Sequence, residues 1–358
     1  VRKINDVVNN GLINVVSCSG GRTSAYLVNK MEVHSFWNNK QSRNVFMDTG
    51  LEHPGTYKFI RNIINEWDIP IDLIRVVYDE RHGKPSTYRL IEQGELRPDF
   101  EGWVGMLKKY GTPYFGGARC TDRMKQAPFL HYCKDNFGRK KYNTWLGIRF
   151  DEPARLWGDK NHKALKEIGY CNEDMSSLFI DAISHVRESE LDGYSYLKAG
   201  RGINENLAGN LLGHLKNKVE DNLYYLAEIS DYTKSDIIKW WGAQSFDLEI
   251  DEHLGNCVFC IKKSLPKIAL AAMDEPQLAK DYWAALTSNE VKIEESRIGR
   301  HLQMYRKKNT FLGVIGMFSM YGRDELAGRL RSLRSYESGS CSESCEPFLC
   351  SIDEDDAA

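Results

Sequence analysis

An α/β fold around a parallel, helix-covered sheet is predicted by two observations: short β-branched apolar runs recur along the chain, and the early ones are each followed by a segment of helical spacing. A third observation is that the first run enters its helix through a Gly-Gly turn. Residues 12–17 are the first predicted strand and residues 25–31 its helix. Residues 44–47 form a second strand ending in Asp48-Thr49-Gly50. Residues 55–67 then place Phe59, Ile60, Ile63, Ile64 and Trp67 on one helical side. Pro70 opens a third unit with the strand 71–77, and residues 144–148 and 224–229 read as further strands. The polar stretch 155–222, rich in Gly, Asn and Lys, reads as a partly helical insertion. From residue 263 to 334 the spacing of Leu265, Ile268, Ala269 and Ala272 is helical. The expected organisation is an α/β domain over residues 1–262 that carries the insertion, a helical C-terminal extension over 263–334, and a mobile tail of Cys, Ser and acid over 335–358.

A chain of 358 residues with 42% hydrophobic content can bury a sizeable core. Its 48 basic and 50 acidic residues nearly cancel, which excludes a global field able to hold nucleic acid but leaves room for a local basic groove. The longest apolar stretches, 12–17 and 311–320, are too short to span a bilayer or are broken by Gly, so no membrane partner is expected. The first residues lack the pattern of a secretion signal, which predicts a cytoplasmic protein. In that compartment nine cysteines read as ligands, nucleophiles or core residues rather than as a disulfide framework.

The first chemical constellation is Ser19-Gly20-Gly21-Arg22-Thr23-Ser24, set between a strand and a helix. Two glycines let the backbone turn tightly and present N–H groups to an anion, and the helix start adds about half a positive charge. The Gly-Lys-Ser/Thr ending of the usual P-loop is missing, which disfavours a kinase or GTPase of that type. A plain Gly turn capped by Ser is the structural alternative. Three further segments follow in order: Phe46-Met47-Asp48-Thr49-Gly50-Leu51-Glu52-His53-Pro54, Gly147-Ile148-Arg149-Phe150-Asp151-Glu152 with Arg155, and Ala227-Glu228-Ile229-Ser230-Asp231-Tyr232-Thr233-Lys234-Ser235-Asp236-Ile237.

Together these segments resemble the PP-loop superfamily of adenine nucleotide α-hydrolases, and within it the phosphoadenylyl sulfate (PAPS) reductase branch. The resemblance covers most of residues 12–242 and leaves out the insertion. It implies a PP-loop domain that binds ATP or PAPS through Ser19 to Ser24 and Asp48-Thr49-Gly50, and chemistry at the α-phosphate. Such chemistry needs cations for developing charge, and Arg149, Arg155 and Lys125 are the candidates, each alternatively a surface ion pair. Asp48, at the carboxyl end of its strand, is a candidate for ribose, for Mg²⁺, or for capping the next helix.

Cys257 and Cys260 are two residues apart, a spacing that lets both thiolates reach one metal, and Cys120 lies in a segment with Arg119, Arg123 and Lys125. By resemblance Cys120, Cys257 and Cys260 are ligands of a 4Fe-4S cluster; zinc and a redox dithiol remain open on spacing alone. Cys-Thr stands at 120–121 where the reductases carry Cys-Cys, which leaves the fourth ligand open, Cys171 among the choices. Cys18 and Cys133 read as core residues. In the tail, Cys341, Cys345 and Cys350 are candidate sulfur carriers, Cys345 taken as the catalytic one by analogy to the reductases' C-terminal cysteine. The reductases' terminal Glu-Cys-Gly-x-His element is absent, and acidic neighbours oppose thiolate formation. Trp240-Trp241, Trp283 and Tyr224-Tyr225, with Arg329, Arg331 and Arg334, either stack on bases or pack in the interior.

The expected function is an ATP pyrophosphatase that forms AMP and pyrophosphate to activate an acceptor for sulfur transfer. Related PP-loop enzymes make tRNA or DNA the candidate acceptor and a sulfur-donor protein a candidate partner. The alternatives are a thiol-dependent reductase of PAPS that yields sulfite, and a nucleotide-binding module without catalysis.

Overall fold

The structure is a computed structural model that describes residues 2–332 apart from 9, 39–41, 80, 82–85 and 118. A helical turn, α1 (Ile4–Val7), precedes β1 (Ile13–Cys18), whose residues from Asn14 on are all buried. The chain continues through α2 (Arg22–Asn38), β2 (Ser42–Asp48), α3 (Pro54–Glu66) and β3 (Ile71–Val77). It then forms β4 (Thr87–Leu90), α4 (Glu101–Tyr110), α5 (Ala127–Phe137) and β5 (Tyr142–Leu146). One mostly parallel sheet of six strands has the order β4-β3-β2-β1-β5-β6, where β6 is Leu223–Tyr225. β1 runs parallel to β5, and β5 to β6. Strands buried on both faces carry near-continuous apolar runs, which is why the sequence shows them so plainly.

This order makes β1 a switch point: the chain leaves it for β2 on one side, while β5 lies on the other. Open parallel sheets bind ligands at the carboxyl ends of strands at such points. β4 is the one strand here that the sequence pattern did not disclose. It is a four-residue antiparallel edge, none of it buried, so no apolar period marks it.

One expectation needs correction. Residues 224–229 are not one strand: β6 stops at Tyr225, and α10 (Leu226–Ile229) is a helical turn. The cause is Glu228, whose carboxylate accepts the Tyr225 N–H at 3.0 Å and pairs with Arg187, fixing the turn at its start. The insertion holds four helices joined by short non-helical stretches. It comprises α6 (Pro153–Glu167), α7 (Asn172–Glu188), α8 (Glu190–Lys198) and α9 (Glu205–Glu220), with Trp157, Phe179, Leu211 and Leu215 fully buried. α6 bends at Gly158, where φ is +73°. After α11 (Lys234–Trp241) the chain forms α12 (Leu265–Asp274), α13 (Pro276–Leu286), α14 (Phe311–Met317) and α15 (Arg323–Ser332), the helical C-terminal region.

The chain forms two compact units. The first takes in the residues up to Cys18, Arg22–Val45 and Cys133–Asp247. The second takes in Ser19–Gly21, Phe46–Tyr132 and the described residues from Leu248 onwards. Its core joins Trp103, Met106, Phe259, Tyr282, Tyr305 and Phe311 with the inner faces of α12 and α15. No described helix is long and apolar enough to cross a membrane. Arg334, Cys341, Cys345 and Cys350 lie outside the described residues.

Candidate functional site

In the first unit the helix α2 begins at Arg22, directly after the Ser-Gly-Gly turn. Gly147, just past β5, lies against its first turn: a Cβ there would stand 2.9 Å from the Cα and 3.0 Å from the N of Ser24. Only a residue without a side chain lets these two backbones meet. The contact carries Arg149 to α2, where its Nη1 donates to the Thr23 hydroxyl at 3.1 Å. Arg149 is 3% exposed and is oriented by Asp151, which accepts its Nε–H at 2.7 Å, and by Glu152 at 3.5 Å. Asp151 also accepts the Lys234 N–H at the start of α11, so the 147–152 and 231–237 segments are tied together. A helix start with a buried guanidinium beside it is suited to a phosphate group.

The remaining predicted cations have their own partners. Arg155 pairs with Glu152 at 2.9 Å, and Arg22 holds Asp247 through two bonds of 2.7 and 2.9 Å. The Trp241 indole donates to the Arg22 carbonyl at 2.9 Å. Thr233 caps α11 in a reciprocal bond with Asp236, which accounts for part of the 231–237 motif as helix capping. Trp241 and Tyr225 are fully buried, and Tyr224 lies between Trp145 and Arg187, so these rings pack the first unit instead of offering faces to bases. Cys171 is exposed and caps α7. Its bond from the Asp174 amide lowers the thiol pKa, but the Asp174 and Glu173 carboxylates outweigh this and leave it above the usual value.

In the second unit Gly20 has φ +79°, and a Cβ there would come within 2.6 Å of Thr56. The turn thus needs glycine both for its conformation and for its packing. Asp48 is fully buried and its carboxylate is filled by protein: Arg75 donates to Oδ2, while Tyr57 and the Gly50 amide donate to Oδ1. Burial, then the nearby Glu52, push its pKa up to about 6 against the opposing pull of Arg75. Asp48 therefore anchors β2, and its expected contact with ribose or Mg²⁺ has no open oxygen in this arrangement. Arg75 also holds Asp99 and Glu101.

A pocket in this unit is lined by Cys120, Cys257 and Cys260 together, with Thr49, Trp103, Thr121 and Lys125 among its other walls. The Thr49 hydroxyl donates to Glu52 at 2.8 Å and approaches Cys257 Sγ at 3.6 Å. Lys125 Nζ lies 3.8 Å from Glu52, so its charge belongs to the thiol pocket. A π-helical turn over Asp122–Gln126 buries Met124 and Lys125 behind Cys120. Lys263 is buried and staples the Cys-x-x-Cys loop from below by donating to the carbonyls of His253 and Val258 at 2.7 and 3.0 Å. Trp103 Nε1 and Thr121 Oγ1 are buried and make no hydrogen bond among the described residues. Two unpartnered polar groups in the lining of a thiol-rich pocket fit a bound group that accepts hydrogen bonds. Glu52, Trp103 and Thr121 were not singled out from the sequence, because their burial and pairing are tertiary properties.

A zinc–thiolate tetrahedron would hold its sulfurs about 3.8 Å apart. Among the described residues the triad whose ligand atoms all come within 4.8 Å is Asp251, His253 and Asp274, not the cysteines. In that triad Arg323 bonds Asp274 at 2.8 Å and Asp251 at 3.3 Å, already neutralising the carboxylates a cation would use. The three cysteine sulfurs thus do not all lie within 4.8 Å of one another. Cys18 and Cys133 are buried as expected, and burial pushes the Cys133 thiol pKa far up.

Over 347 residues the chain is 38% identical to the uncharacterized nin region protein ORF290 of Escherichia phage lambda, covering 96% of this chain and 98% of that protein. The chain belongs to the ORF290 family. No protein-family model and no solved structure matches this ORF290 relative.

Proposed function

We propose that this ORF290-family protein is a PP-loop enzyme that binds ATP at the start of α2 and cleaves it to AMP and pyrophosphate, activating an acceptor for sulfur transfer. The observation that carries the reading is the contact of Gly147 with the first turn of α2 and the buried Arg149 it delivers to Thr23. Arg149 then bonds the phosphate oxygens whose charge grows as the pyrophosphate leaves. Asp151 and Glu152 hold the guanidinium plane fixed, so little reorganisation accompanies that change.

The thiol pocket is the proposed place for sulfur handling, with Cys120, Cys257 and Cys260 holding a 4Fe-4S cluster. Bound there, a cluster would supply a metal centre with affinity for sulfur. The chain's own part is to orient Cys257 through Thr49, to balance the negative charge with Lys125, and to offer Trp103 N–H and Thr121 O–H as donors. Cys345, which lies outside the described residues, is the proposed sulfur carrier.

Anaerobically purified protein given ATP is expected to release pyrophosphate, and Arg149→Lys to slow that release about 100-fold. Release of inorganic phosphate alone refutes the reading, and sulfite from PAPS would instead support a reductase. Retained nucleotide binding with neither product would indicate a non-catalytic module. Iron and acid-labile sulfide should co-purify in the wild type and fall in Cys257→Ser; zinc in their place would overturn the cluster assignment.

A further inference from the structure

Two segments, 113–121 and 256–263, carry residues that line the thiol pocket, and a third, 297–308, packs on them through Arg297 and Arg306. Apart from the buried Lys263 they hold seven Arg or Lys residues and no Asp or Glu, in a chain whose total charges nearly cancel. The acids closest in sequence, Asp122 and Glu295, fall just outside them. Their side chains interlock. Arg306 lies over the ring of Phe115 at 4.8 Å and donates to the Lys262 carbonyl at 3.0 Å, while Arg297 lies over the ring of Tyr114 at 4.6 Å and donates to the Thr112 carbonyl at 2.5 Å. Both rings remain open to water, Tyr114 at 41% and Phe115 at 45% exposure. Beside them Lys307 and Lys308 are exposed on a tight turn closed by Tyr305 and Asn309, with φ of +58° and +59°. Side-chain-bearing residues enter that backbone state only where something holds them there, and strain of this kind gathers at ligand-gripping loops.

We propose that this rim binds a single-stranded polynucleotide, its phosphates on Arg300, Lys307 and Lys308 and its unpaired bases on the exposed Tyr114 and Phe115 rings and the guanidinium planes over them. Exposed rings alternating with fixed cations are what stacked bases and a tracking phosphate chain require. A duplex hides its base faces, and no described helix presents these groups to a groove. A phosphorylated protein would use the cations and leave the rings without a role. That the bound strand is also the sulfur acceptor rests on the function proposed above, whereas the binding itself does not.

The test is fluorescence anisotropy with a labelled oligouridylate of about 12 nucleotides, a length within the usual site range, read without ATP over a series of salt concentrations. Wild type should bind, and Lys307→Gln with Lys308→Gln should lower the slope of log affinity against log salt by about 1.4. Phe115→Leu should weaken binding about tenfold at unchanged slope, and Phe115→Tyr should restore it. Unchanged thermal midpoints would establish that the variants fold. Absence of binding, binding indifferent to both sets of variants, or equal affinity for duplex or a phosphopeptide would overturn the proposal. A protein that binds the strand yet releases no pyrophosphate refutes only the enzymatic reading. One that releases pyrophosphate and ignores the strand refutes only this one.

Discussion

Replacing Gly147 with alanine would drive a Cβ to 2.9 Å from the Cα of Ser24, a contact that backbone must move to relieve. Overpacking of this kind costs about 1–3 kcal/mol, and the displaced strand end would carry Arg149 away from Thr23. Urea unfolding should show the lost stability and calorimetry a lost ATP affinity. A folded variant that binds ATP as wild type would show that the anion site lies elsewhere. At this scale the sequence was legible where chemistry is local. Ser19 to Ser24 and the Cys-x-x-Cys pair announce themselves by spacing within one turn. Asp48 was misread because its position at a strand end is local, whereas its engagement by Arg75 comes from another strand. Glu52 and Thr121 stood in motifs without a role and Trp103 went unremarked, since an unpartnered or buried polar atom is defined only by what surrounds it.

Among the elements, α6 and α9 are joined by His214, which bonds the Leu156 carbonyl at 2.8 Å and lies beside Trp157. Burial, with Lys218 adding to it, lowers the His214 pKa from 6.5 to about 4. The unfolded chain therefore takes up a proton between these values while the folded chain resists. Stability is fully present above pH 6.5 and is lost as pH falls toward 4, by up to about 3 kcal/mol. In His214→Gln that acid-sensitive component should vanish; a wild-type and variant pair with parallel stability profiles from pH 7 to 4 would contradict the assignment. The strands β1, β2, β3 and β5 were readable because each carries a short β-branched or aromatic apolar core, although buried polar residues such as Arg75, Asn143 and Thr144 interrupt it. The end of β6 was not, because an apolar run continues unbroken into α10 and only the Glu228–Arg187 pair marks the change. The insertion hid its helices for a related reason: much of its surface is polar, and Gly residues interrupt the period that its buried Leu and Trp would otherwise show.

For the whole molecule, near-neutral composition argued against nucleic acid, and that holds for the far field only, because a balanced total conceals a segregated rim. Binding of ATP at 100 times its dissociation constant should add about 2.7 kcal/mol to stability, visible as a raised thermal midpoint. The lambda ORF290 protein, aligned over 98% of its length, should respond in the same way. A midpoint indifferent to ATP in both proteins would remove the nucleotide from the account of the family. Arg323, seated between Asp251 and Asp274, has a practical bearing on such experiments. Because that acidic corner is satisfied by a side chain of its own, an added divalent cation must displace Arg323 to enter it. Removing the guanidinium by Arg323→Ala is expected to open the corner to such a cation, read as a metal-dependent rise in the thermal midpoint that the wild type lacks.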